Sequence, residues 1–403
     1  MMRYSCRYLD QGLCWLAAAC MALGTLSATS KVAESQSVLT KLDAYWGAFQ
    51  VGGEYTTIPG LNSGNPPTDE QASLVMDGAM YVNYVIPYTV THPYPIVLIH
   101  GGVGTGQAFL STPDGRTGWA QYFANHGFAV YVVDQPARGR SIYQQPLDGP
   151  VGSNSVLQME QQFTATQYFD LWPQAHLHTQ WPGSGLQGDP TFDNFMRGTN
   201  GAVPTQEALN VASGAALIDR IGPAIVLGRS QSGVYPFHYA DVRPGKVKAM
   251  IDIEGASPAF NCPYPRSCQT YNGVPSTLTP LWGVTGQPIT YSPPITDSVS
   301  QLVRVPNTAP AGPNEATCWL QGAPVHTLPN LKGIPTMVMV SQASAPTQTQ
   351  VCMHQFLEQA GVKNDFIRLE KEGLYGNGHL MNVELNSDQI AQFLVDWLGR
   401  HSL

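Results

Sequence analysis

Ala224-Ile225-Val226-Leu227-Gly228-Arg229-Ser230-Gln231-Ser232-Gly233 is an apolar run that stops at a glycine and sets a serine two residues beyond it. A buried strand that ends at glycine, turns sharply around a serine and restarts as a helix lifts that hydroxyl above the sheet edge. This is the geometry of a nucleophile elbow. Ser230 is therefore the candidate nucleophile. The match is to G-x-S-x-x-G, with Ser232 standing where G-x-S-x-G has its second glycine. A small residue there still allows close packing. A bare match of this kind is usually a turn, and the strand pattern directly before it is what gives it weight.

Upstream, Tyr94-Pro95-Ile96-Val97-Leu98-Ile99 reads as a short buried strand and runs into His100-Gly101-Gly102-Val103-Gly104-Thr105-Gly106. Glycines let such a loop turn backbone N–H groups toward a developing oxyanion without side-chain crowding. The expected oxyanion donors are the backbone N–H groups of Gly102 and Gln231. The competing reading is a nucleotide loop. The G-x-G-x-x-G spacing is missing, no acidic residue follows at the distance a ribose requires, and no Gly-Lys-Ser/Thr follows for a P-loop.

A third strand, Phe128 to Val133, ends in Asp134-Gln135-Pro136-Ala137-Arg138-Gly139-Arg140-Ser141. Here the chain resembles the α/β-hydrolase superfamily, whose D-x-x-x-x-G-x-S turn follows the strand after the oxyanion loop. The resemblance implies an α/β fold with a mostly parallel central sheet flanked by helices, and a structural role for Asp134 and Arg138. It also places a general base on a loop before the last helix. His379 stands there, in Gly373-Leu374-Tyr375-Gly376-Asn377-Gly378-His379, ahead of a stretch from Gln389 to Gly399 in which Ile390, Phe393, Leu394, Trp397 and Leu398 recur at helical spacing.

The acid member is harder to read. Superfamily members usually carry it after the strand that here is Ile334 to Val340, but Ser341-Gln342-Ala343-Ser344-Ala345-Pro346 follows and no carboxylate appears until Glu358. The preceding strand, Val247 to Gly255, ends in Asp252-Ile253-Glu254-Gly255. Residues two apart on a strand share a face, so both carboxylates point the same way, and Glu254 lies nearer the carboxyl end where open α/β sheets gather their active groups. The chain is similar to a branch of secreted bacterial esterases in its G-x-S-Q-S-G elbow, its Ile-Glu-Gly strand end and its Gly-Asn-Gly-His loop. That resemblance implies a Ser230, His379 and Glu254 triad that cleaves a small-molecule carboxylic ester, with no cofactor or metal. Some of that branch have histidine or another residue at the position of Arg229, and some carry cysteines where this chain has Gly102 and Val103. The same triad would also serve an amidase, peptidase or lactonase, and a non-catalytic binding protein is the reading from a different class.

Composition fits one enlarged α/β domain spanning 31–403. The 403 residues are 43% hydrophobic, which suffices for a large core, and the net charge of −8 with no basic run argues against a nucleic-acid partner. Residues 1–30 read as a signal peptide: Arg3 and Arg7 open it, Leu13 to Leu26 are largely apolar, and Ala28-Thr29-Ser30 offers a small-residue cleavage site. No later segment could span a bilayer. The expectation is export, to the extracellular space or a periplasm. Of seven cysteines, Cys6, Cys14 and Cys20 would leave with the signal, and Cys262–Cys268 with Cys318–Cys352 is the favoured pairing of the other four. His176-x-His178 is read as a loop feature, since no His/Cys pair has finger spacing. Two insertions, about 144–204 and about 257–332, hold Trp172, Trp181, Phe192, Met196, Trp282 and Trp319 and are expected to cap the site.

Overall fold

A computed structural model describes residues 43–61, 73–201, 203, 207–255, 259–260, 280–309 and 311–403. The expected signal segment and the Cys262–Cys268 pair lie outside the described residues. The chain forms an eight-stranded sheet, built from β1 (Ala44–Thr57), β2 (Leu74–Pro87), β3 (Ile96–Ile99), β4 (Val130–Asp134), β5 (Ala224–Arg229), β6 (Val247–Ile253), β7 (Thr336–Val340) and β8 (Asp365–Arg368). Their spatial order is β1-β2-β4-β3-β5-β6-β7-β8. β1 and β2 run antiparallel, as do β2 and β4, and every later pairing is parallel. A mostly parallel sheet flanked by helices is the expected fold class.

Parallel central strands are covered on both faces, and so they read as unbroken apolar runs. Val97, Ile99 and Val226 pack on one side with the helices Glu207–Ile221, Tyr235–Val242 and Gln350–Gln359. Ile96, Leu98, Ile225 and Leu227 pack on the other side with the helices Trp119–Asn125 and Ser387–Arg400. The period-two alternation of each strand feeds two separate cores. In the last helix Ile390, Leu394, Trp397 and Leu398 are buried, while Phe393 packs only partly.

The sheet order decides where a site can form. From β3 the chain steps outward to β4 and then returns across β3 to β5, so the connections leave β3 and β5 in opposite directions. Such a switch point opens a crevice at the strand carboxyl ends, where ligands bind in open α/β sheets. The loop after β3 and the elbow after β5 meet at this crevice, with Ile99 paired to Gly228. Away from it, a disulfide joins Cys318 to Cys352 and ties the second insertion to the helix Gln350–Gln359. Among the described residues no helix is long and apolar enough to cross a membrane.

Candidate active site

β5 continues through Arg229, one residue beyond the glycine expected to end it, and Ser230 opens a 3₁₀ turn, Ser230–Val234, that leads into the helix Tyr235–Val242. Ser230 has φ of +58°, in the left-handed region, at a cost of about 1–3 kcal/mol that surrounding contacts must offset. Two of those contacts are visible in the motif. A Cβ on Gly228 would fall 2.1 Å from the Ser232 carbonyl oxygen, so the turn closes only on glycine. The Ser232 hydroxyl accepts from the Arg229 N–H at 2.8 Å and donates to the Ile99 carbonyl at 2.7 Å. The serine in the second glycine's place is thus a fully buried tie between β3 and β5.

Three side chains from distant parts of the chain line up at the crevice. Ser230 Oγ lies 2.8 Å from His379 Nε2, and His379 Nδ1 lies 2.6 Å from Glu254 Oε2. A carboxylate accepts only from a protonated nitrogen, so Nδ1–H donates to Glu254 and Nε2 is left to accept from the Ser230 hydroxyl. Glu254 follows β6 with φ of +50°, a sharp turn that swings its side chain across the end of β7. There its Oε1 accepts from the Ser341 N–H at 2.7 Å, the Ser341 hydroxyl at 2.5 Å and the Ser344 hydroxyl at 2.6 Å. Burial opposes the charge of Glu254. The His379 imidazole and these hydroxyls outweigh that and hold the carboxyl below the usual range, so it stays ionised until the solution is more acidic than an ordinary glutamate needs. The place after β7 that lacks a carboxylate therefore holds the two serines that fasten the carboxylate of the neighbouring strand.

Asp252 behaves in the opposite way. It is fully buried, and burial, reinforced by the charge of Glu254, pushes its carboxyl well above the usual range against the Gly255 backbone. A buried acid with a raised pKa destabilises the fold wherever the unfolded chain would ionise, so the penalty is absent below the ordinary carboxylate range and grows as pH rises toward the folded value. We expect the melting temperature of Asp252→Asn, relative to wild type, to become more favourable from pH 5 to pH 8. A difference that stays constant with pH would remove this account.

The loop bearing His379 is held by groups that sequence reasoning did not find. Glu384 accepts from the Gly378 N–H at 3.1 and 3.0 Å, from Asn377 Nδ2 at 2.8 Å and from His178 Nε2 at 3.1 Å. Both side chains of the His178–Glu384 pair are fully buried. His178, read from sequence as a loop feature, thus links the first insertion to the histidine loop. Gly378 and Asn377 lie only six and seven residues before Glu384, but His178 lies on a separate segment, and no local pattern marks that partner. Aromatics of the same insertion pack as structure: Trp172 donates to the Ala343 carbonyl, Trp181 clusters with Leu380 and Val383, and Phe192 is buried. Phe163 differs, its ring centre lying 5.5 Å from that of His379.

The glycine loop after β3 is pinned from beneath. His100 Nε2 accepts from the Gln135 N–H, which leaves Nδ1–H to donate to the Gly101 carbonyl, and burial pushes this imidazole down to about 4. Arg138 donates to the Gly102 carbonyl, and the buried Asp134 carboxylate accepts from the Gly106 N–H and from Arg140. A Cβ on Gly102 would sit 3.6 Å from Gln231 Cβ, so the two loops abut next to Ser230. Gln231 is the second residue of a 3₁₀ turn, where backbone N–H groups have no partner within the turn.

An α/β sheet carrying a strained serine at its switch point, in a row with an imidazole and a buried carboxylate, defines a hydrolase of the α/β class. The chain is 41% identical over 325 residues to "Probable secreted lipase phiG" from a fungal species (strain ATCC 74256), covering 80% of this chain and 86% of the relative. The protein belongs to that lipase's family within the α/β-hydrolases and is a carboxylic ester hydrolase. The solved structure described as a novel bacterial esterase shares the fold, with a TM-score of 0.56 at 22% identity over 91% of this chain and 99% of that one. No protein-family model matches the sequence.

Proposed function

We propose that the protein cleaves small carboxylic esters through an acyl-enzyme intermediate on Ser230, with His379 as general base and Glu254 as the acid that orients it. The observation that carries this reading is the unbroken row from Ser230 Oγ through His379 to Glu254, at 2.8 and 2.6 Å. The hydroxyl oxygen bonds to the ester carbonyl carbon while its proton passes to Nε2, and Glu254 stabilises the imidazolium that forms. Collapse of the tetrahedral species breaks the ester C–O bond and returns the proton to the leaving alkoxide. Water then repeats the sequence to release the acid. The N–H groups of Gly102 and Gln231 receive the carbonyl oxygen as it becomes negative, and each such donor is worth about 2.7–4 kcal/mol.

The insertions at about 144–204 and about 257–332 act as a cap over this site, and residues 1–30 direct export and are removed in its course. The relative named as secreted and the sequence of the first 30 residues support export. The test of the reaction is an organophosphonate ester incubated with the purified protein. One equivalent should bind, with the added mass on the peptide containing Ser230 and parallel loss of p-nitrophenyl butyrate hydrolysis. Label on another peptide, or hydrolysis that survives full labelling, would overturn the reading.

Glu384 is the positioning residue of this scheme, since it holds Gly378 directly beside the base. Glu384→Gln keeps the size but weakens the acceptor. We expect kcat to fall by about ten- to a hundred-fold, as for small displacements of a reacting group, with KM nearly constant. A matched change in KM with kcat intact would assign Glu384 to substrate binding instead.

A further inference from the structure

Arg229 stands beside the nucleophile, and only 6% of it is exposed. Its Nε donates to Asn382 Oδ1 at 2.8 Å, and Asn382 is itself anchored to the Ala108 carbonyl. Among the described residues no acceptor meets its two terminal nitrogens, and no carboxylate lies within ion-pair distance. Glu254 and Glu384 are near enough to favour its charge, but both are committed, Glu254 to His379 and the two serines, Glu384 to His178 and the histidine loop. Burial pushes the guanidinium down to about 10, which still leaves it charged at neutral pH. A buried cation with open donors is costly unless something completes it.

The place for that partner is a cavity of about 90 Å³ lined by Arg229, Gly101, Phe109, Phe195, Leu380 and Asn382 among others. A Cβ on Gly101 would fall 2.8 Å from Ser230 Cβ and 3.2 Å from Arg229 Nη1, so the guanidinium and the nucleophile border the same glycine. The wall combines apolar Val103, Phe109, Phe195, Leu380 and Val383 with polar side chains such as Thr105 and Asn194, room for a short carbon chain between two polar ends. We propose that Arg229 makes this an esterase for substrates bearing a second, free carboxylate a few bonds from the ester, such as hemiesters of dicarboxylic acids. The guanidinium's fork holds the carboxylate while the ester carbonyl lies over Ser230. This deepens the esterase reading of the same site and rests on it.

The test compares monoethyl adipate with ethyl hexanoate, two ethyl esters of equal acyl length of which only the first carries the carboxylate. In the wild-type enzyme kcat/KM should favour the hemiester by about ten- to a hundred-fold, the range of one charge-assisted pairing. Arg229→Gln should bring that ratio close to one, and Arg229→Lys should keep part of it. A wild-type ratio at or below one overturns the proposal without reference to any variant, as does a ratio that Arg229→Gln leaves in place. Hydrolysis that persists in Ser230→Ala would sink the Ser230 mechanism instead, and the ratio would still judge Arg229.

Discussion

Ser230→Ala is expected to lower kcat on any ester by about a million-fold, because the acyl group then has no oxygen to occupy and the other members of the row cannot act alone. The same change should abolish phosphonate labelling. Ser232→Ala is the informative control, since it alters the other serine of the motif. Ser232 is fully buried with its hydroxyl engaged by Arg229 and Ile99, so it cannot reach a substrate. Its removal should leave labelling intact and cost about 1–3 kcal/mol of stability through the unsatisfied Arg229 N–H. Label appearing at Ser232 in the Ser230→Ala protein would refute the elbow assignment.

The second large effect is expected at the acid. Glu254→Gln is nearly isosteric, and its amide oxygen can keep the bonds from Ser341 and Ser344. That arrangement turns the amide NH₂ toward His379, where it donates to Nδ1 and forces the proton onto Nε2. The imidazole then cannot accept from Ser230. Loss of the acid through the wrong tautomer costs about 10⁴ in kcat in comparable rows, and the same size of loss is expected here with the fold retained. Asp252→Asn, two residues earlier and still within β6, should leave kcat within a small factor. An active Glu254→Gln beside an inactive, folded Asp252→Asn would move the acid to Asp252.

The pairing of these two carboxylates shows how far one strand can be read. Alternation predicts Asp252 and Glu254 on one face, but β6 ends at Ile253 and the left-handed turn at Glu254 takes its side chain off that face. Burial raises both carboxyls, and their partners drive them apart: an imidazole and two hydroxyls hold Glu254 below the usual range, whereas Asp252 has only the Gly255 backbone against burial and the charge of Glu254 and is pushed well above it. The central strands were legible because covered parallel strands are continuous apolar runs. β1 and β2 were not, since β1 is an edge strand with mostly exposed residues and interspersed glycines, and its pattern resembles neither an amphipathic strand nor a buried one. β8 is only four residues long and half-buried, too short to carry a period.

What the sequence determined by itself was local: a strand that breaks into a serine turn, a glycine loop after one strand, and a histidine before a last amphipathic helix. Each depends on backbone conformation and hydrophobic period, which neighbours in the chain set. The tertiary structure decided everything that depends on distance. It brought Ser230, Glu254 and His379 into one row, and placed Ser341 and Ser344 where a carboxylate was sought. It buried Glu384 against His178, and left Arg229 charged and open beside a cavity. A side chain's partners across 87 to 206 residues are fixed by how strands order in the sheet, and no stretch of sequence carries that order within itself.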